Sequence, residues 1–118
     1  MELILVRHGQ SQANTGESKD FDSALTPMGH EQSKVAANVI SQIARQPNEW
    51  IGYVSPFLRT LETVIPIHQG LEIPFFANWC IREIEHSLPP SDQPPVPKRR
   101  SGFNWVSNTD DGHWQYQK

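Results

Sequence analysis

Cysteine is almost missing from this chain of 118 residues, which contains a single one, Cys80. One cysteine cannot form an internal disulfide, so we expect a reducing, cytoplasmic setting rather than a disulfide-stabilised secreted domain. Long apolar runs are missing too, because the N-terminal run at residues 3–6 is shorter than a signal sequence or a membrane span requires. We therefore expect no association with membranes.

A strong charge of either sign is also lacking. The net charge is −3 at pH 7 and the isoelectric point is near 5.9, which argues against a general attraction to nucleic acid. Lys98, Arg99 and Arg100 form one local basic cluster, either a solvated run of loop charges or a contact for an anionic substrate. We expect the partner to be a small molecule.

Apolar side chains are scarce in the last third of the chain. The hydrophobic share of 36% is concentrated before residue 85, and most of the ten prolines lie in the second half. So little apolar surface does not offset the entropy lost on ordering a chain. We expect residues 1–118 to form a single domain, whole or partial, in which 86–118 are a Pro-rich loop and tail.

The first half of the chain alternates strand and helix signals. Residues 3–6, Leu-Ile-Leu-Val, are continuously apolar, which is typical of a parallel strand covered on both faces. Thr26 and Pro27 are an N-cap and a first-turn proline, and apolar residues at helical spacing predict a helix from there to Arg45.

The same pattern then repeats. Residues 51–55 predict a second strand, and Ser55-Pro56 predicts the start of a second helix that Pro66 should end or kink. Residues 71–77 predict a third strand, at a sheet edge because Pro74 interrupts it. This order predicts the α/β class, as a three-layer α/β/α fold with a mostly parallel sheet.

Ligands of open parallel sheets gather at the carboxyl ends of the strands. Arg7 and His8 follow the first predicted strand, Arg59 lies in the first turn of the second helix, and Glu83 comes shortly after the third strand. Two guanidinium groups that converge form a clamp for phosphate or carboxylate, and a helix N-terminus near Pro56 would add donors.

Four ordered motifs carry a family resemblance: RHGQSQAN, LTPMGHEQ, SPFLRTLET and IREIEH. They resemble the histidine phosphatase superfamily, also called phosphoglycerate mutase-like, over roughly residues 1–85. The resemblance implies that His8 is the nucleophile that becomes phosphohistidine, that Arg7, Asn14 and Arg59 bind the phosphoryl oxygens, and that Glu83 is the proton donor. Glu85 competes with Glu83 for that role, and the motif register favours Glu83. The implied chemistry needs no metal or other cofactor.

The resemblance weakens toward the C-terminus. Family members carry a second histidine far downstream, within a His-Gly pair, whereas the later histidines here are His86 and His113, and His113 follows glycine instead. We expect the chain to lack the family's C-terminal strand and helix. The strand at residues 3–6 would then have an open edge, which favours self-association.

These features predict a phosphomonoester hydrolase that acts on a small phosphorylated metabolite through a phosphohistidine. One alternative is a catalytically impaired relative that binds phosphate, or a fragment without function; the missing second histidine favours it. Another is a phosphotransferase of the phosphoglycerate mutase type.

Overall fold

The protein is described by a computed structural model that covers residues 1–20, 22–78 and 81, together with the backbone of two strands at 105–107 and 113–116. Helices α1, α2 and α3 span Gln12–Thr15, Pro27–Ile43 and Leu58–Leu71, and a 3-10 turn spans Pro47–Glu49. Strands β1 to β4 span Gly52–Val54, Phe75–Asn78, Trp105–Ser107 and His113–Tyr116. None of the described helices combines the length and apolar character needed to span a membrane.

Helix α2 begins where its capping residues predict. The Thr26 hydroxyl accepts a hydrogen bond from the Gly29 amide at 3.1 Å, and Pro27 occupies the first helical position. Since Pro27 has no amide proton to satisfy, it suits the first turn, where amides lack helical acceptors. The helix ends at Ile43, with Ala44 as its C-cap.

Helix α3 departs from its prediction at both ends. Its N-cap is Phe57, whose side chain makes no capping bond, so the helix starts two residues after Pro56. Pro66 was predicted to end or kink the helix, and the first alternative is wrong, because α3 continues through Pro66 to Leu71. Leu61 and Ile67 are buried on either side of Pro66, and this packing outweighs the local cost of proline.

The sheet confirms the α/β class. Strands β1 and β2 are parallel, with Gly52 opposite Phe75 and Val54 opposite Ala77. Strand β4 pairs antiparallel with both β2 and β3, which gives the strand order β1-β2-β4-β3. The expectation that the third predicted strand lies at an edge is wrong, since β2 has neighbours on both sides and starts one residue after Pro74. Strands β3 and β4 come from residues 86–118, the part of the chain expected to be a Pro-rich loop and tail.

The first predicted strand does not form. Residues 3–6 belong to no strand of the described sheet, and Leu3 and Leu5 are 79% and 85% exposed. A strand exists only through pairing, whereas the local apolar run supplies only the tendency to be extended. The described core instead lies between the two long helices and the parallel strands, and it is centred on Ile40, Val54, Leu61, Val64, Ile67, Ile73 and Phe75.

Candidate active site

The loop that carries Arg7 and His8 is fixed to the start of helix α2. The Gln10 carbonyl accepts a bond from the Thr26 amide at 2.9 Å, and the Gln10 amide donates to Gln32 Oε1 at 2.8 Å. Gly9 and Gly29 allow this close approach: a β-carbon on Gly9 would lie 2.5 Å from the Gly29 carbonyl oxygen, and one on Gly29 would overlap the Gln10 carbonyl. Both motif glycines are therefore required by backbone contact.

His8 is half-buried, and its ring is oriented by its own loop. The Nδ1 atom lies 2.7 Å from the Gly9 carbonyl oxygen. Since a carbonyl can only accept, we assign the proton to Nδ1, which leaves a lone pair on Nε2 of the neutral ring. An imidazole in this tautomer is a nucleophile at Nε2.

Thr63, one turn after Arg59 on helix α3, joins that helix to the histidine loop. Its buried hydroxyl donates to the Arg59 carbonyl at 2.6 Å and accepts from the Gly9 amide at 3.1 Å. A hydroxyl has one proton, so these two bonds fit together without conflict. Thr63 was not among the predicted site residues, although it closes the SPFLRTLET motif and its position four residues after Arg59 places both on one face of the helix.

Arg59 is buried, with 5% of its surface exposed, in the first turn of α3. Its guanidinium carbon lies 4.8 Å from the centre of the Phe57 ring, within the range of a cation–π contact. Arg7, in contrast, is exposed.

Asn14 has a structural role in the described chain. Its Oδ1 accepts bonds from the Ser11 amide and the Ser11 hydroxyl, both at 2.9 Å, and together these residues form the capping box of α1. Asn14 thus fixes the turn that follows His8. Its phosphate-binding role stays a prediction.

A cavity of about 600 Å³ lies between the N-terminal segment, β1 and helix α3. Arg7 and His8 line it, together with the hydroxyl-bearing residues Ser55, Thr60 and Thr63. Most of the remaining lining is apolar, and includes Ile40, Val54, Val64, Ile67 and Phe75. The structure therefore brings Arg7 and His8 to one hollow, while Arg59 and Asn14 are not among its lining residues.

The N-terminus of α3 is occupied by a carboxylate of the protein itself. Asp22 Oδ1 accepts a bond from the Leu58 amide at 2.8 Å, so this donor, expected to serve a phosphate, is already used. Another carboxylate, that of Glu62 on α3, accepts a hydrogen bond from the Leu25 amide at 2.9 Å and lies 3.2 Å from His30 Nε2. The two contacts hold Leu25, just before α2, and His30, in the first turn of α2, against α3.

Several predicted site residues lie outside the described part of the chain: Glu83, its competitor Glu85, His86 and the basic cluster at residues 98–100. His113 lies in β4, of which the backbone is described. The role of Glu83 as proton donor therefore stays a prediction from the sequence, and so does the expectation that the family's second histidine is missing.

Comparison with known proteins supports the resemblance. The chain is 38% identical over 69 residues to phosphoglycerate mutase 2 of Saccharomyces cerevisiae (strain ATCC 204508 / S288c), which covers 54% of this chain and 22% of the yeast protein. It is 36% identical over 78 residues to the transcription factor tau 55 kDa subunit of the same organism, covering 66% of this chain and 17% of that subunit. The chain thus spans less than a quarter of these relatives.

The family signature extends over most of the chain and includes the loop of His8, the capped start of α2 and the first turn of α3. Residues 3–88 match the histidine phosphatase superfamily (branch 1). The chain belongs to the histidine phosphatase superfamily.

Proposed function

We propose that this protein is a phosphomonoester hydrolase that works through a phosphohistidine at His8. The observation that carries the proposal is the bond from His8 Nδ1 to the Gly9 carbonyl, because it leaves Nε2 as the free nucleophile of a residue that lines the cavity. Membership of the superfamily supports phosphoryl transfer in general.

The reaction would proceed in two steps. First, Nε2 of His8 attacks the phosphorus atom, the ester P–O bond breaks, and the leaving alkoxide takes a proton from the carboxyl group of Glu83, or of Glu85 if the register is shifted. Second, Glu83 takes a proton from water, which attacks phosphorus and breaks the P–N bond, releasing phosphate and neutral His8. Arg7 and Arg59 would balance the charge on the phosphoryl oxygens, with Asn14 as a further donor.

The substrate we propose is a small phosphorylated metabolite, and the setting is cytoplasmic, since Cys80 has no disulfide partner in the sequence. A phosphotransferase of the mutase type is an alternative that shares the phosphohistidine chemistry, and the chain is similar to phosphoglycerate mutase 2 over 22% of that protein. A mutase must protect the phosphoenzyme from water. Transfer to an added acceptor alcohol rather than to water would identify it.

A phosphate-binding relative without catalysis is a further alternative, and the lack of a second His-Gly pair in the sequence is the feature that speaks for it. Arg59 stacks on Phe57 and is not among the residues that line the cavity beside His8, so the two-arginine clamp requires its guanidinium to reach that hollow. A fragment without function would show neither binding nor turnover.

Trapping the intermediate tests the proposal. We expect the protein to hydrolyse para-nitrophenyl phosphate and to carry acid-labile, base-stable phosphate on His8 after rapid quenching. His8→Gln should lose both, while His30→Gln, a change at an exposed histidine on α2, should lose neither. Phosphate binding without label on His8 would favour the binding relative and refute the hydrolase.

We also propose a second copy of this chain as a partner. Support comes from Leu3 and Leu5, which are exposed in a segment that pairs with no strand of the described sheet, and from β1, whose one neighbour in that sheet is β2. Apolar residues beside an open strand edge favour association between chains.

A further inference from the structure

We infer that Thr63 is a positioning residue for His8: its hydroxyl holds the Gly9 amide and thereby fixes the imidazole in the tautomer that leaves Nε2 free to attack. The catalytic part of this inference rests on the proposed function. The bond itself and the orientation of the ring do not.

The chain of contacts is continuous. Thr63 Oγ1 accepts from the Gly9 amide at 3.1 Å, and the carbonyl of the same residue, Gly9, accepts from His8 Nδ1 at 2.7 Å. Gly9 thus has its amide held by α3 and its carbonyl held by the imidazole. With both peptide groups of Gly9 fixed, rotation of the loop would break one bond or the other.

Burial makes the Thr63 bond costly to lose. Gly9 and Thr63 are both buried, so water cannot easily replace the hydroxyl as acceptor for the Gly9 amide. A buried amide without an acceptor costs roughly 1–3 kcal/mol, and the loop can avoid this cost only by moving. Movement would release the Gly9 carbonyl from the orientation that receives Nδ1.

The second bond of Thr63 sets the direction of the first. Its proton goes to the Arg59 carbonyl at 2.6 Å, so a lone pair, not the hydrogen, faces the Gly9 amide. Helix α3 therefore presents Arg59 in its first turn and, one turn later, a fixed acceptor for the loop of His8. One rigid helix thus sets the position of both groups.

Three variants separate positioning from packing. Thr63→Val keeps the branched shape and removes the hydroxyl, whereas Thr63→Ser keeps the hydroxyl and removes a methyl group. Ser33→Ala is the matched control, because Ser33 is also buried, donates to a helix carbonyl, that of His30 at 2.7 Å, and makes no bond to residues 7–10. All three are compared after thermal denaturation confirms folding.

The first readout is steady-state kinetics with para-nitrophenyl phosphate. Thr63→Val should lower kcat about 10–100-fold with KM changed less than about twofold, since a displaced nucleophile affects attack more than binding. Thr63→Ser should recover most of the rate, and Ser33→Ala should keep it. A Thr63→Val protein with wild-type kcat, or with a loss confined to KM, would overturn the inference.

The second readout does not depend on activity. Imidazole ¹⁵N shifts of His8, assigned by comparison with His8→Gln, should report the Nδ1-protonated tautomer in the wild type and in Thr63→Ser. Thr63→Val should show a mixture of tautomers, and unchanged shifts would refute the link. If His8 of the wild type carries no phosphate label, the proposed hydrolase function is refuted. The imidazole ¹⁵N spectrum still tests the role of Thr63 in that case.

A third measurement covers the case in which Thr63→Val does not fold. In the wild type, the Gly9 amide should exchange with solvent slowly, in contrast to the amide of exposed Lys19. Fast exchange at Gly9 would show that the bond to Thr63 is absent, and the inference would fail on that result alone.

Discussion

Gly29 lies where helix α2 meets the loop of His8, and its lack of a side chain is what permits the contact. A β-carbon there would overlap the backbone carbonyl of Gln10, which cannot rotate away as a side chain can. We expect Gly29→Ala to destabilise the fold by about 2–3 kcal/mol, although alanine is the better helix former. Urea denaturation followed by circular dichroism measures this change.

Gly70 provides the matched control. It lies in the last turn of α3, and a β-carbon there meets nothing within 4 Å. Gly70→Ala should therefore stabilise by about 0.5 kcal/mol through helix propensity and reduced chain entropy. The test is that the two substitutions change the free energy of unfolding in opposite directions. A neutral or stabilising Gly29→Ala would mean that the loop of His8 does not pack on α2 as described.

A motif pattern singled out individual site residues in the sequence, and their catalytic and binding roles stay predictions, whereas contacts between elements emerged only from the structure. Arg7 and His8 were assigned to one site from sequence, and the structure places both at one cavity. Thr63 closes the SPFLRTLET motif but was not predicted as a site residue, since a threonine within a helix carries no signal of the loop it will meet. For Asn14, the sequence suggested a phosphate ligand, and the capping bond to Ser11 emerged only from the structure.

Helices were predicted more accurately than strands because their signals are local. Thr26 and Pro27 supply the capping acceptor and the constrained first turn of α2 within a few residues, so its start was predicted correctly. Residues 3–6 have the composition of a strand, but a strand also needs a partner from elsewhere in the chain. At Pro66 a local signal was misleading in the other direction. Proline disfavours a helix locally, but burial of Leu61 and Ile67 maintains α3 across it.

Helix α3 depends on a capping group from outside its own sequence. Phe57 cannot cap it, and the Asp22 carboxylate accepts the Leu58 amide instead. A carboxylate at this end also interacts favourably with the helix dipole. Asp22→Ala should therefore lower the free energy of unfolding by about 1 kcal/mol, measured by thermal or urea denaturation.

Asp22→Asn separates the two contributions, because it keeps an acceptor oxygen and removes the charge. We expect a loss smaller than that of Asp22→Ala, and this loss relative to wild type should shrink at high salt, because it is the contribution of the charge. Equal stability of Asp22→Ala and wild type would show that this contact does not support α3.

The described sheet is open at β1, and the N-terminal segment lies across the cavity from that strand rather than in the ladder. Exposed apolar residues lie at several places, among them Ile51 and Tyr53 at β1, and two of these surfaces are candidate sites of association. One is the N-terminal segment with Leu3, Leu5 and Val6, and the other is the outer side of α2 with Val35, Val39 and Ile43. Self-association at the sheet edge requires the first surface, whereas a helix-mediated dimer would require the second.

A pair of charge substitutions distinguishes these surfaces. Leu5→Lys adds charge to the N-terminal segment, and Val35→Lys makes the same kind of change on α2 at a residue that is 63% exposed. If copies associate at the edge, burial of Leu5 contributes about 1.5–3 kcal/mol, so Leu5→Lys should weaken association about tenfold or more. Val35→Lys should leave it unchanged, as measured by sedimentation over a range of protein concentrations. A wild type that stays monomeric at high concentration would refute self-association. Weakening by Val35→Lys alone would assign the contact to α2, because a charge weakens association most where the side chain is buried in the contact between the two copies.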